Sequence, residues 1–222
     1  MASGLNLCRT SPQGSALRAA LTTVTVDGLS FAAHTSAAWE PTSNGSPHVN
    51  AIIGTGTSIV KVDPEIERVN GTCYGGGTYW GLQRLLTGVN SFEQLEDLIR
   101  TGNQNNVDML VGDIYGDATA ELGLPADLLA SSLAKVSDHN NGKADIACSV
   151  LCLTCWTIGQ LAAVEAQKCN AVDVFFVGGF VKDAAKAYLA FATALGAGSG
   201  SRRAVFVDGV SEFLGALGAG MR

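Results

Sequence analysis

The stretch from Ile146 to Val164 constrains the fold most, because it contains no charged residue and must be kept away from water. It is long enough to cross a bilayer, which takes about 20 apolar residues. It also contains polar residues, Ser149 and Gln160 among them, and the acidic residues Asp145 and Glu165 flank it. We therefore expect the central helix of a soluble domain and no membrane span.

Three cysteines within this stretch raise the question of a metal site. Cys148, Cys152 and Cys155 have the spacing Cys-x3-Cys-x2-Cys, which can hold a four-iron cluster in radical enzymes. On a helix the three lie on one face, which continues through Gly159 and Ala163 as a line of small residues. The first and third cysteines would be about 10 Å apart along the helix axis, which does not suit one compact cluster. We interpret them as packing residues that let a neighbouring element approach closely.

Charge and composition argue against some classes of partner. The 222 residues carry a net charge of -6 without a cluster of Lys and Arg, which argues against a nucleic-acid partner. Residues 1–15 lack the apolar run of a secretion signal, so we expect a cytoplasmic protein. With 47% hydrophobic residues, a chain of this length can bury a real core.

Periodicity and turn residues predict strands alternating with helices. Residues 16–33, dense in Ala and Leu, predict a helix with a breaker at Gly28, and a polar linker follows. Two β-like runs around residues 54–56 predict a hairpin, and a third run leads into a glycine loop that opens a helix. The later predicted elements are a helix at Ser91 with Gln94 in a capping box, a helix from about Ala144 to Gln167, and strand–helix pairs over 172–195 and 203–220. We therefore expect an α/β fold with a mixed sheet, in which an antiparallel meander precedes parallel strands.

Three glycine-rich turns follow runs of β-forming residues, at 52–58, 74–82 and 175–180. Glycine there lets the backbone approach a ligand, and N–H groups at a helix start favour phosphate. One such turn is weak evidence, because glycine turns between strands and helices are common, but three in one α/β chain favour a nucleotide. None matches the G-x-x-x-x-G-K-[ST] or G-x-G-x-x-G fingerprint. A phosphate-binding β-hairpin remains, of the kind that actin-like and sugar-kinase ATPases use.

Several segments, in order and spacing, resemble the type II (eukaryotic-type) pantothenate kinases. They are IIGTGTSIVKV, ERVNGTCYGGGTYWGLQRLLTG, NNVDMLVGDIYG, LGLPADLLASSLAKV and VFFVGGFV, and the resemblance runs from about Leu21 to the end of the chain. It implies the actin-like ATPase fold of the acetate and sugar kinases, a ribonuclease H-like domain with a mixed sheet and helices on both faces. It also implies phosphorylation of pantothenate from ATP and Mg²⁺, the first step of coenzyme A biosynthesis, by a homodimer that acyl-CoA inhibits.

The same resemblance assigns roles to individual residues. By similarity, the hairpin from Gly54 to Ser58 would be the second phosphate-binding hairpin of the family. The residues it implies for ATP binding are Gly54, Thr55, Gly56, Gly75, Gly76, Gly77, Thr78, Gly178, Gly179 and Phe180, the last three beside the adenosine. Ser58 and Arg68 match the serine and arginine that hold pantothenate, and a hydroxyl with a fixed guanidinium suits a carboxylate or amide. Without the resemblance, each would more often be a surface residue.

The chain also departs from the family pattern. The family begins with a lobe that carries a DxGGT-like phosphate hairpin and later a catalytic glutamate, and neither motif is found in this sequence. We therefore expect residues 1–47 to be a remnant of that lobe with a linker, and residues 48–222 to be the C-terminal ribonuclease H-like lobe. We expect no catalytic residue and no metal ligand in this chain. An Asn-Asn pair of the family is replaced by Trp156 and Thr157.

Two functions remain open at this point. The first is the C-terminal half of a pantothenate kinase, and the alternative is a non-catalytic pantothenate-kinase-like partner with a regulatory or dimerisation role. An in-frame DxGGT hairpin upstream of Met1 would favour the first. A kinase for a different sugar or acid is less favoured, because Ser58 and Arg68 both match the pantothenate positions.

Overall fold

The computed structural model of the chain describes residues 23–26, 29–35, 47–63, 65–137, 142–196 and 202–206. The strands are β1 (Thr23–Val26), β2 (Leu29–Thr35), β3 (His48–Ile53), β4 (Thr57–Asp63), β5 (Glu65–Thr72), β6 (Met109–Leu110), β7 (Leu129–Ser131), β8 (Asp173–Val177) and β9 (Arg203–Phe206). The α-helices are α1 (Gly76–Thr87), α2 (Phe92–Thr101), α3 (Val111–Tyr115), α4 (Thr119–Leu122), α5 (Lys143–Lys168) and α6 (Asp183–Gly196).

The large sheet has seven strands in the order β1-β2-β9-β8-β3-β4-β5. Strands β3, β4 and β5 form an antiparallel meander, and β8 and β9 lie parallel to β3 on its other side. The strands β5, β4, β3, β8 and β9 thus have the ribonuclease H-like order. Of these five, only β4, which comes second among them along the chain, runs in the opposite direction. The predicted α/β class, with a meander followed by parallel strands in one mixed sheet, is confirmed.

The first two strands correct the helix predicted over residues 16–33. Thr23–Val26 and Leu29–Thr35 are strands that pair antiparallel. The run Thr-Val-Thr-Val consists of β-branched residues, which lose side-chain freedom in a helix and fit a pleated sheet. The Asp-Gly pair that follows it in the sequence is a strong hairpin signal, which the helix prediction overlooked. The predicted elements at 16–22, 36–46 and 211–220 lie outside the described residues.

The described residues fall into two compact units. The sheet unit comprises those up to Tyr79 and those from Thr154 onward, and it contains the whole seven-stranded sheet. The helical unit comprises those from Trp80 to Leu153 and contains α2 and the β6–β7 pair.

Helix α2 begins with Ser91 as its N-cap, as the sequence predicts. The Ser91 hydroxyl accepts a hydrogen bond from the backbone N–H of Gln94 at 3.3 Å. The Gln94 side chain reaches back to the N–H of Asn90 at 3.0 Å, one residue before the cap. Ser91 is therefore confirmed as the N-cap, but Gln94 bonds the N–H of Asn90 and not that of the N-cap residue, so the predicted capping box is not complete.

The core of the sheet unit is built from alternating residues of its strands. Along β3, Val49, Ala51 and Ile53 are fully buried, whereas the residues between them are not. Phe176 of β8 stacks on Phe206 of β9 with ring centroids 5.7 Å apart. Helix α6 packs against β9 and β2. This period-two burial fixes the register of the sheet, because a one-residue slip would expose every core side chain.

The cysteine stripe lies in the protein interior, as the packing interpretation predicts. Cys148, Cys152 and Cys155 are all buried. Farther along α5, a Cβ atom at Gly159 would lie 2.6 Å from the Cβ of Ala192 on α6, so only glycine permits this approach of the two helices. Among the described residues, no group of three His, Cys, Asp or Glu side chains could hold a metal ion.

Helix α5 is also the helix that raised the question of a membrane. In the described part of the chain it alone is long and apolar enough to cross a bilayer. However, 67% of its most apolar window is buried inside the protein. Trp156, one of the two residues that depart from the family pattern, packs against Phe191 of α6 with ring centroids 5.6 Å apart. Burial within the protein accounts for the composition of this helix.

Candidate functional site

The β3–β4 hairpin caps the start of helix α1. The backbone N–H of Gly76 donates to the carbonyl of Gly54 at 2.8 Å, and that of Gly77 donates to the carbonyl of Thr55 at 2.9 Å. A helix start leaves its first N–H groups without partners inside the helix. Here the hairpin satisfies two of these N–H groups, so the two are not available to a phosphate. The sequence had suggested that N–H groups at this helix start would bind one.

The glycines at this junction are required by packing. A Cβ atom at Gly75 would lie 2.5 Å from the carbonyl carbon of Gly56. At Gly76 it would lie 2.8 Å from the carbonyl oxygen of Gly54, and at Gly77 it would lie 2.8 Å from Cγ2 of Thr55. The contacts at Gly75 and Gly76 are with backbone atoms and leave no room for a side chain. At Gly77 the Thr55 methyl group can rotate away, and the nearest backbone atom, the Thr55 carbonyl oxygen, is 3.0 Å from the Cβ position, so the restriction there is weaker.

The turn after β8 joins the same junction. Gly178 has a φ of +114°, and a Cβ atom there would overlap the carbonyl oxygen of Ile53, so this position requires glycine on both grounds. Phe180 packs edge-on against Tyr79 of α1, with ring centroids 5.1 Å apart. A Cβ atom at Gly76 would also lie 3.6 Å from the Cβ of Phe180. The three glycine turns, distant in sequence, therefore meet.

Two glycines at this junction have open space where a side chain would be. For Gly54 and Gly179, no atom of the described residues other than the adjacent ones in the chain lies within 4 Å of a Cβ position, and both glycines are exposed. They follow the carboxyl ends of β3 and β8, which are neighbouring parallel strands with Ile52 opposite Val177. We call this place, defined by Gly54 and Gly179, the open edge.

The open edge lies at a switch in the sheet topology. The chain leaves β3 toward β4 on one side, whereas β8 is followed in the sheet by β9 on the other side. In open α/β sheets, ligands bind outside the carboxyl ends of strands at such a point. Topology and local space therefore both favour a ligand here.

The two threonines expected to bind ATP differ in their surroundings. Thr55 is exposed at the tip of the β3–β4 hairpin. Thr78 is half-buried, and its hydroxyl donates to the carbonyl of Cys73 at 3.2 Å. Nearby, the buried hydroxyl of Thr57 donates to the carbonyl of Tyr74 at 2.8 Å, which ties β4 to the loop before α1. Of the two, Thr55 is the one placed to reach a ligand from the hairpin.

Ser58 and Arg68, the predicted pantothenate residues, contact each other. The Nε of Arg68 donates a hydrogen bond to the Ser58 hydroxyl at 3.1 Å. Ser58 is half-buried and follows the hairpin on β4, whereas Arg68 is exposed on β5. The sequence prediction thus names two residues that the fold brings together into one pair of hydroxyl and guanidinium.

A bulge in β5 is what brings Arg68 to the face of Ser58. Asn70 lies opposite Ile59, and Arg68 lies opposite Val60, so Val69 is an extra residue without its own partner. Residues two apart on a regular strand share a face, but an extra residue reverses this relation. Arg68 therefore points to the side of Ser58, and Asn70 points to the opposite side.

On that opposite side lies a hydrogen-bonded network around the buried Glu165, which the sequence analysis did not identify. Nδ2 of Asn70 donates to Oε1 of Glu165 at 2.7 Å, and Nζ of Lys168 donates to the same oxygen at 2.8 Å. Burial by itself would raise the pKa of Glu165, but these two hydrogen bonds and the charge of Lys168 together outweigh it and lower the pKa below its ordinary value. The available signal was a carboxylate at the end of an uncharged helical stretch, which must find partners if it is buried.

The strand order defines a ribonuclease H-like α/β lobe. The family model for Fumble matches residues 21–222, and the chain belongs to the Fumble family.

Relatives of the chain are much longer than the chain itself. It is 40% identical over 184 residues to Pantothenate kinase 2 of Arabidopsis thaliana, covering 79% of this chain and 20% of that protein. It is 45% identical over 138 residues to 4′-phosphopantetheine phosphatase of Mus musculus, covering 60% of this chain and 17% of that protein. The chain therefore spans about a fifth of the length of these two relatives. Among solved structures, ParM of Bacillus thuringiensis in its apo form has a TM-score of 0.38 and 14% identity, covering 86% of this chain and 46% of that one.

Proposed function

We propose that this chain forms the ATP- and pantothenate-binding lobe of a pantothenate kinase. In the reaction, the 4′-hydroxyl oxygen of pantothenate forms a bond to the γ-phosphorus of ATP, and the bond from that phosphorus to the bridging oxygen breaks. The products are 4′-phosphopantothenate, ADP and the hydroxyl proton. The observation that carries the proposal is the open edge, whose Gly54 lies four residues before Ser58 of the Ser58–Arg68 pair. Relatives of the chain include proteins named pantothenate kinase.

ATP would bind at the open edge. Gly54 and Gly179 present bare backbone there, so a phosphate or ribose could approach more closely than a side chain would permit. Thr55 lies between Gly54 and Gly56 at the hairpin tip and is exposed. Phe180, held against Tyr79, would lie beside the adenosine. When bound, ATP supplies the phosphoryl group, and the residues of this chain bind and orient it.

Mg²⁺ would come with the phosphates of ATP. This ion usually keeps several waters and takes one or two carboxylates together with substrate phosphates. A dedicated cluster of protein ligands is therefore not needed for it to act here. We assign no metal ligand and no catalytic base to the residues of this chain.

Pantothenate carries a carboxylate, for which Arg68 is the chemically matched partner. The hydrogen bond from Nε to Ser58 fixes the plane of the guanidinium, and an arginine fork binds a carboxylate best in a fixed orientation. The relative from Mus musculus is named for 4′-phosphopantetheine, which contains the same pantothenoyl group. Both relatives' names thus support one ligand class, and the named kinase supports this function over a non-catalytic partner.

Isothermal titration of the full chain with MgADP and with pantothenate tests the proposal. We expect both ligands to bind. The double variant Ser58→Ala, Arg68→Ala should weaken pantothenate binding by more than about tenfold, or about 1.4 kcal/mol, and leave MgADP affinity unchanged. Arg84→Ala removes another exposed arginine and is the matched control. Pantothenate binding that survives the double substitution would contradict the assignment.

The finer expectations from the resemblance remain predictions. These are the homodimer, inhibition by acyl-CoA and a cytoplasmic location. Size-exclusion chromatography with light scattering would test the first, and displacement of MgADP by acetyl-CoA would test the second.

A further inference from the structure

We infer that Asn70 and Glu165 are positioning residues that hold Arg68 in its ligand-binding orientation from the opposite face of β5. The functional part of this inference rests on the proposed function, because Arg68 is the residue assigned to pantothenate. The structural part, that the two residues fix the orientation of Arg68, does not depend on the ligand.

The first step is the connection between Asn70 and the bulge. The side chain of Asn70 is held at both ends: its Oδ1 accepts the backbone N–H of Gly71 at 2.7 Å, and its Nδ2 donates to Glu165 at 2.7 Å. Asn70 is the first residue after the extra residue Val69. Anchoring its side chain therefore fixes the backbone where β5 leaves regular pairing.

The second step connects this backbone to the guanidinium. A Cβ atom at Gly71 would overlap Nη2 of Arg68 and would lie 2.8 Å from the carbonyl oxygen of Thr57. The Arg68 side chain therefore folds back over Gly71, and its Nε reaches Ser58. A shift of the Asn70–Gly71 backbone would move the surface on which the guanidinium rests.

The third step is the strength of the anchor. Glu165 is 4% exposed, and its pKa is lowered, so it is ionised at neutral pH and accepts hydrogen bonds strongly. Lys168, with 64% of its side chain exposed, neutralises it from the solvent side. The hydrogen bond that reaches β5 comes from Asn70, so the two partners of Glu165 can be separated by substitution.

Four variants separate positioning from simple stability. Glu165→Leu removes the acceptor, and Asn70→Ala removes the connection while leaving α5 intact in case Glu165→Leu does not fold. Glu165→Gln is the conservative variant, because its amide oxygen can still accept from Asn70. Lys168→Met removes the other partner of Glu165 and is the matched control.

The direct readout is exchange of the Arg68 Nε–H with water, measured by NMR on the full chain with labelled arginine. Ser58→Ala sets the rate for a guanidinium that has lost its hydrogen bond. We expect Glu165→Leu and Asn70→Ala to approach that rate, and Glu165→Gln and Lys168→Met to stay near the unsubstituted protein. Exchange that is unchanged in Asn70→Ala would overturn the inference.

Titration with pantothenate and with MgADP is the functional readout. A misplaced guanidinium should weaken pantothenate binding by about 10- to 100-fold, while MgADP affinity stays within a factor of two. Equal loss of both affinities would indicate a general structural role and count against positioning. If the unsubstituted chain binds no pantothenate, the proposed function fails, and the exchange rates still decide whether Asn70 and Glu165 hold Arg68.

Discussion

The turn after β8 and the junction between the β3–β4 hairpin and α1 are both rich in glycine, but the glycines serve different requirements. At the junction, Gly75, Gly76 and Gly77 each face atoms of the hairpin at 2.5–2.8 Å from a Cβ position. After β8, a Cβ atom at Gly178 would meet the backbone of Ile53, whereas one at Gly179 would meet no atom of the described residues beyond its chain neighbours within 4 Å. Packing thus explains Gly75, Gly76 and Gly77 at the start of α1, but in the β8 turn it explains only Gly178, and Gly54 of the hairpin is open like Gly179.

This difference bears on how a glycine-rich turn is interpreted. A glycine that packing requires gives no information about a ligand, because any other residue would disturb the fold. A glycine that faces open space at the carboxyl ends of parallel strands has no such explanation and is the better indicator of a site. Open space alone is not sufficient, since Gly81 within α1 also has it and does not follow the end of a strand.

The largest effect should come from Gly178→Ala. Its φ of +114° disfavours any side chain, and the added methyl group would overlap the Ile53 carbonyl, so we expect a loss of about 3 kcal/mol or more in the free energy of unfolding. Urea denaturation measures it. Gly81→Ala is the control, and it should stabilise the chain by about 0.5–1 kcal/mol because glycine is unfavourable within a helix. A loss below about 1 kcal/mol for Gly178→Ala would remove the distinction between the two kinds of glycine.

A smaller but clear loss in the free energy of unfolding should follow from Gly75→Ala. The added methyl group would lie 2.5 Å from the carbonyl carbon of Gly56, and the hairpin could yield by separating from the start of α1. Overpacking of this kind costs about 1–3 kcal/mol. Hydrogen exchange of the Gly76 and Gly77 amides should rise with it, since both donate to the hairpin. Protection of both amides at the unsubstituted level would show that the junction tolerates a side chain.

Gly179→Val should affect binding and leave stability within about 0.5 kcal/mol. Because the position is open and exposed, the protein itself accommodates the side chain. If the open edge receives ATP, the isopropyl group occupies the space of the nucleotide, and MgADP affinity should fall by about tenfold or more in calorimetric titration. Unchanged affinity with unchanged stability would move the nucleotide site away from this edge.

The sequence was sufficient to locate these turns but not to distinguish their glycines. Alternating β-branched runs and glycine punctuation predicted the meander, the later parallel strands and the hairpin around residues 54–56. Whether Gly178 or Gly179 is required depends on Ile53, which is remote in sequence and is a neighbour only because β3 and β8 pair in parallel. Local composition contains no such information. The helix expected over residues 16–33 failed for a different reason, because the Ala- and Leu-rich context was given more weight than the local β-branched run Thr23–Val26, which is a strand.

For the Ser58–Arg68 pair, too, the sequence could predict one aspect of the site and not another. The resemblance named both residues, but a regular β5 would have placed Arg68 on the same face as Asn70. The bulge at Val69 carries no recognisable sequence signal, and the partner that anchors it, Glu165, lies far along the chain on α5. Identity of the ligand residues was therefore accessible from sequence, whereas the means of orienting them was not.

The smallest predicted effect concerns Glu165 and separates its contribution to stability from its contribution to positioning. Its pKa in the folded chain lies below the ordinary value of 4.5, so the stability that it contributes is fully present above pH 4.5 and is lost as the pH falls through the folded value. Glu165→Gln removes the titration and the attraction to the largely exposed Lys168, which is worth about 0.2–1 kcal/mol. The difference in unfolding free energy between the two proteins should therefore be constant from pH 7 to pH 5 and shrink below that. A difference that grows as the pH falls would mean that the pKa of Glu165 is raised in the folded chain, so that Asn70 would be held by a weaker acceptor than a fully ionised carboxylate.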